Sequence, residues 1–237
     1  EPTRRAVLAG FGEARNDASA HLSDAVTLMV NATASALSGP KGALRSRIGL
    51  VCAMVGSNDA TDPAGAVAEE LGLVGAQTMV ATVGVPQQRL VTNAILAVQS
   101  GRSEAVLVLG GEAKASSLTA RRDGTAPPVA PDGAGADQLL EPSGEFMAEA
   151  EVAANLWDPV TQYALIDSAL ARQQGRSPVQ LLAEVSELWA RFDAVAAGNP
   201  NAEFAGPPHT AADLAETTDQ NRLLAFPYNK WHSTQWA

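Results

Sequence analysis

Residues 78–112 carry the pattern that most limits the fold: an apolar run, a tight turn, an almost uncharged helix and a second apolar run. TMVATVG reads as a strand ending in a glycine turn, VPQQRLVTNAILAVQSG as a helix, and EAVLVLGGE as the next strand. Pro86 is expected at the first helical position, where its missing N–H would have no helical partner anyway. Leu90, Val91, Ala94, Ile95 and Val98 recur at helical spacing, and Gly101 is placed to close the helix in the left-handed conformation. Arg89 is the only charged residue between Pro86 and Gly101, so burial on most sides is expected. A strand–turn–helix junction aims free N–H groups and the positive end of a helix dipole at one spot. Such a spot lowers a thiol's pKa and favours a thiolate. Here the turn offers Gly84, Val85, Pro86, Gln87 and Gln88, with neither cysteine nor serine among them.

The flanking sequence extends the alternation. RRAVLAGFG (4–12) reads as a strand ending in glycines, and SDAVTLMVNATASAL (23–37) as a helix capped by Ser23. IGLVCAMVGS (48–57) is a second strand, and TDPAGAVAEELGL (61–73) a helix with Asp62 as cap and Pro63 at its first position. Continuously apolar strands separated by helices predict a mainly parallel sheet covered on both faces. Hydrophobic residues make up 46 % of the 237, enough for a core without covalent staples.

After Gly111 the periodicity breaks. Residues 114–145 hold Lys114, Arg121, Arg122, four prolines and several glycines, and read as a long loop. Asp158-Pro159 opens a helix running to about Gln174, and Ser177-Pro178-Val179-Gln180 opens another through a capping box. The second helix carries an aromatic and aliphatic stripe, including Leu181, Leu188, Trp189, Phe192 and Val195, that is expected to be core. It stops at Gly198-Asn199-Pro200, a short helix starts at Thr210, and NRLLAFPYNKWHSTQWA (221–237) reads as a strand entering a polar loop.

Several function classes are excluded or weakened. A net charge of −10 argues against a nucleic-acid footprint, which needs a basic stripe. No apolar run approaches the ~20 residues of a membrane span. The single cysteine, Cys52, cannot form an internal disulfide, and a reducing cytosol is the simplest compartment. His21, His209 and His232 show no metal-ligand spacing, so no metal site is expected, and His21 and His209 are read as solvated. VLAGFGEA (7–14) has only two glycines of a dinucleotide fingerprint, and GGEAKAS (110–116) lacks its spacing. His232 lies beside Lys230, Ser233 and Thr234 between two tryptophans, which is one candidate ligand-lining cluster; Arg121-Arg122 is a candidate phosphate contact.

Three stretches together resemble the thiolase superfamily, specifically its sterol-carrier-type acetyl-CoA acetyltransferases. TVGVPQQRLVTNAILAVQSGRSEAVLVLGGEAKAS (82–116) is similar to the family's nucleophile turn, buried helix and following strand. The stretch at 156–204 is similar to the helical loop domain inserted in the first half, and NRLLAFPYNKWHS (221–233) to the segment returning from it. The resemblance implies the N-terminal half of a layered αβα fold, with a mixed, mostly parallel sheet and an inserted mainly helical domain. The expected boundaries are 1–113 for the core, 114–225 for the insertion and 226–237 for an incomplete return to the core.

What the resemblance implies for function is the handling of acyl-CoA thioesters, with no covalently bound cofactor, as an acyltransferase of lipid metabolism. The family's acyl-cysteine position falls here around Gly84, Val85 and Pro86, none of which can attack a thioester. Two alternatives follow: a retro-aldolase acting on steroid side-chain CoA esters with a small oligonucleotide-fold partner, or a non-catalytic acyl-CoA-binding subunit. Tyr228 and His232 are then the acid/base candidates, and Arg121, Arg122, Lys230, Ser233 and Thr234 the CoA contacts. The resemblance further implies a second thiolase half, in the same or a separate chain, and a homodimer or hetero-oligomer.

Overall fold

The computed structural model describes residues 4–16, 22–56, 60–145, 147–199, 202 and 206–233. They divide into two units, Glu1–Phe146 and Met147–Ala237. The first holds strands β1 (Ile48–Met54), β2 (Gln77–Ala81), β3 (Ala105–Leu109) and β4 (Gln138–Leu140), all parallel, in the order β3-β1-β2-β4. Its helices are α1 (Ala25–Ala36), α2 (Pro63–Glu70), α3 (Gln87–Gln99) and α4 (Lys114–Arg122).

Parallel neighbours need a crossover, and crossovers are right-handed. α2 carries the chain from β1 to β2 on one side, and α3 carries it back past β1 to β3. The reversed direction of travel puts α2 and α3 on opposite faces. β1 records this in its alternation: Val51 and Ala53 pack with α1 and α2, whereas Leu50 and Cys52 pack with Leu90 and Ala97 of α3. A central strand buried on both faces must be apolar throughout, as IGLVCAM is.

Helix starts follow their caps. Asp62 accepts from Gly65 N at 2.8 Å with Pro63 at the first position, as its sequence predicts. α1 is capped by Asp24, which accepts from Thr27 N at 2.9 Å, and not by Ser23, whose own N–H is engaged by Asn16 Oδ1. Pro86 is the cap residue of α3, with φ −60° and ψ 131°, so the helix begins one residue later than expected. Gly101 closes it at φ 74°.

Two expectations for this unit are corrected. Residues 4–12 form no strand; Gly10 and Gly12 lie instead against the α1 backbone, where a Cβ on Gly12 would sit 2.2 Å from the Ala32 carbonyl oxygen. Val7, Leu8 and Phe11 are left exposed. Residues 114–145 are not simply a loop: they supply α4 and the three-residue β4, which pairs with β2. The intervening chain is pinned by carboxylates. Asp132 accepts from Thr61 N (3.0 Å), Thr61 Oγ1 (2.8 Å) and Asp62 N (2.6 Å), and Asp137 accepts from Thr78 N (2.7 Å). These bonds tie Asp132 and Asp137 to Thr61, Asp62 and Thr78 within the first unit.

The second unit holds α5 (Glu149–Ala153), α6 (Pro159–Gln173), α7 (Pro178–Ala197), α8 (Ala211–Ala215) and an antiparallel hairpin of β5 (Leu223–Ala225) with β6 (Tyr228–Asn229). The α7 capping box forms as read: Ser177 N donates to Gln180 Oε1 at 2.8 Å and Gln180 N to Ser177 Oγ at 3.3 Å. The α7 stripe is core only in part: Leu181 is buried, whereas Phe192 is 54 % and Val195 73 % exposed. Two long helices, two short ones and a hairpin cover only part of each helix circumference. Residues 221–233 are tied within their own unit, where the Asn221 and Asn229 side chains each donate to the Leu214 carbonyl at 3.0 Å.

Candidate functional site

The strand order reverses at β1, which creates a switch point outside the carboxyl ends of β1 and β3, the usual place for a ligand crevice in parallel sheets. Beside it, β2 runs into the turn ahead of α3. Thr82 N donates to the Leu140 carbonyl at 3.0 Å and Val85 N to the Thr82 carbonyl at 3.1 Å. Gly84 sits at φ 95°, a conformation natural only to glycine. Pro86 offers no side-chain acceptor, so no side chain caps the first N–H groups of α3, at Gln87 and Gln88. The first turn has no acidic residue. This end of α3 attracts negative charge but carries no nucleophile.

Cys52 does not substitute. It is fully buried on the α3 side of β1, and burial pushes its thiol up to about 11. A thiol so placed is inert.

His232 is 1 % exposed. Asn229 N donates to its Nδ1 at 3.1 Å, so Nδ1 holds the lone pair and the ring proton is on Nε2. That proton points to Ser186 Oγ, 3.2 Å away. Burial pushes the imidazole pKa down to about 4. The ring is therefore neutral with both nitrogens engaged. Tyr228 donates its hydroxyl to the Asp167 carboxylate. Burial, and then that bond, hold the phenol protonated far above the ordinary tyrosine range. Asp167 and Ser186, which sequence reasoning missed, lie on α6 and α7; a serine on a mostly apolar face of α7 was the available signal.

The remaining candidates are spread out. Lys230 opens a short 3-10 turn (Lys230–His232), with its backbone N donating to the Arg222 carbonyl at 2.8 Å. Ser233 follows, 8 % exposed. Thr234 and His21 lie outside the described residues. His209 is not simply solvated: Nδ1 meets Asp193 at 2.9 Å and the ring lies 4.4 Å from that of Trp231. Arg122 pairs with Asp123 on the surface. Arg121 and Lys114, one on each end of α4, line a cleft of about 260 Å3 in the first unit together with Asp24, Glu112 and Pro127. Among the described residues no group of three metal-ligating side chains occurs, and no helix is long and apolar enough to cross a membrane.

No protein-family model matches the chain, and no curated protein matches it. A solved structure does: a monomeric SCP2-thiolase-like protein type 1 from Mycobacterium smegmatis, with a TM-score of 0.67 at 21 % identity over 97 % of this chain. The fold is thiolase-like. The chain spans 43 % of the length of that structure. In its thiolase-like frame, the parallel sheet flanked by α1 and α2 on one face and α3 on the other agrees with the layered architecture expected from the sequence.

Proposed function

We propose that this chain is a thiolase-like protein that binds an acyl-CoA thioester without forming an acyl-enzyme. The observation that carries the reading is the α3 turn: an uncapped helix N-terminus following Gly84, with neither cysteine nor serine from Gly84 to Gln88. The family's chemistry needs a nucleophile there, and Cys52 is buried and held as a thiol. What remains is an electropositive terminus able to meet a thioester carbonyl or carboxylate. We place the phosphate-facing cations at Lys114 and Arg121, which share a cleft. Lys230 and Ser233 stay secondary candidates.

The transferase reading lacks its nucleophile. The lyase reading needs an acid/base pair, and Tyr228 and His232 are engaged by Asp167 and Ser186 in the manner of structural groups. Calorimetric titration with acetyl-CoA, run beside an assay for free CoA, tests the proposal. Saturable binding with no CoA release is the expected result. Steady thioester consumption by the purified chain would overturn it.

A further inference from the structure

The second unit contains a cleft of about 580 Å3 between the C-terminal end of α6 and the N-terminal end of α7. Two guanidinium groups line it, Arg172 and Arg176. Arg172 is in the last turn of α6, and its side chain makes no hydrogen bond or ion pair with any described residue. Arg176 gives one terminal nitrogen to the Glu184 carboxylate, while its Nε is buried with no acceptor. An unused guanidinium and a second with an unmade bond thus border one concave space in a chain of net charge −10. The first turn of α7 contains no acidic residue, so its helix dipole adds to the positive potential there. Arginine's planar fork matches the oxygens of a phosphate, and a buried donor without an acceptor is satisfied by such an oxygen. The other wall is apolar, formed by Ala171, Leu181 and the half-exposed ring of Phe226. The volume exceeds what a lone oxyanion fills and suits a charged head with an apolar or aromatic body.

We propose that this cleft is a binding site for a phosphate-bearing small molecule, its phosphate on Arg172 and Arg176 and its body against Phe226. The site belongs to the second unit and stands whether or not the α3 turn meets a thioester.

The test uses the full 237-residue chain and two probes, inorganic pyrophosphate and ADP. NMR follows the arginine Nε–H signals during titration. The Arg176 Nε–H signal is expected to move saturably with both probes. Arg172→Gln, on an exposed and unpaired side chain, is expected to weaken both by roughly tenfold, the loss of one charged hydrogen bond. Arg176→Lys keeps the charge but not the fork and should weaken both as well. Phe226→Leu should weaken ADP and leave pyrophosphate unchanged, which separates a nucleotide from an inorganic ion as the source of the phosphate. An unshifted Arg176 signal at millimolar pyrophosphate overturns the proposal, as does unchanged affinity in Arg172→Gln with its melting curve intact.

Discussion

Acidification should destabilise the second unit through His232 before its carboxylates titrate. The ring is buried and neutral, with its pKa pushed down to about 4, whereas an unfolded histidine titrates near 6.5. Between these values the unfolded chain binds a proton that the folded chain refuses. Stability therefore rises with pH through that window and falls as pH drops below about 6.5, until the folded ring itself protonates near 4. Well inside the window each pH unit is worth about 1.4 kcal/mol, and half that at about pH 6.5 where the unfolded ring is half protonated, so lowering pH from about 6.5 to about 5 removes about 1.6 kcal/mol. That interval lies above the ordinary range of aspartate and glutamate, and the His232→Gln comparison separates His232 from His209, the other described histidine of this unit. Urea unfolding followed by tryptophan fluorescence, with Trp231 as the adjacent reporter, measures the slope. His232→Gln should be less stable at neutral pH, since it breaks the bonds from Asn229 N and to Ser186, but it should lose the slope between about pH 5 and 6.5. The ring protons of His232 report its pKa directly by NMR. A folded-state titration near 6.5 would refute the burial argument, and so would an unchanged slope in the glutamine variant.

Other outcomes follow from single features. Cys52 should react with a thiol reagent only as fast as the chain opens, and peptide mass spectrometry after incubation with acetyl-CoA should find it unacylated; a turning-over acetyl group on it would contradict the binding-only reading. Gly84→Ala places a β-carbon on a residue at φ 95° and should cost roughly 1–2 kcal/mol, seen as a lower melting temperature. Asp132→Ala removes the acceptor of Thr61 and Asp62 and should raise protease sensitivity and amide exchange in residues 125–137 while leaving α3 protected. The Asp132 carboxyl is held below the usual range by those same bonds, against the opposing effect of desolvation, so acidification through its pKa should loosen the loop in the same way. The β3 edge has no strand beyond it among the described residues, and Val91, Ile95 and Leu96 are exposed on α3; light scattering of residues 1–237 should find self-association, and a monodisperse monomer would count against the two-half expectation.

Local signals carried most of the sequence reading. Asp62-Pro63 and Ser177-Pro178-Val179-Gln180 each state a helix start in adjacent residues, and both form as written. β1 and β2 are continuous apolar runs and are buried almost throughout, whereas β3, at the sheet edge, is apolar but only half-buried. Failures occur where the deciding partner is distant. VLAGFG has strand composition, but its glycines dock on α1 some twenty residues later, and no ladder forms. α4 is polar, KASSLTARR, with no apolar period to announce it, and β4 is held by Thr78 and β2 some sixty residues before it. At the candidate site, the missing nucleophile was visible directly. The role of His232 was not, because Ser186 fixes it from 46 positions away. The α7 stripe misled because periodicity reports which face is apolar and not whether anything covers it.

The Asp62 carboxylate has a consequence for how sequences related to this one can vary. It caps α2 and also receives Gly135 N at 3.2 Å, so its oxygens occupy space that neighbouring side chains would need. A methyl group on Gly65 would lie 2.1 Å from Oδ2, and one on Gly133 would lie 2.2 Å from the same atom. Replacement of Asp62 by a smaller residue would relax Gly65, whereas a methyl group on Gly133 would still lie 2.9 Å from the Gly65 Cα. Positions 62 and 65 should therefore change together among homologues, with alanine appearing at 65 only in chains that have given up the acid at 62, while 133 stays glycine.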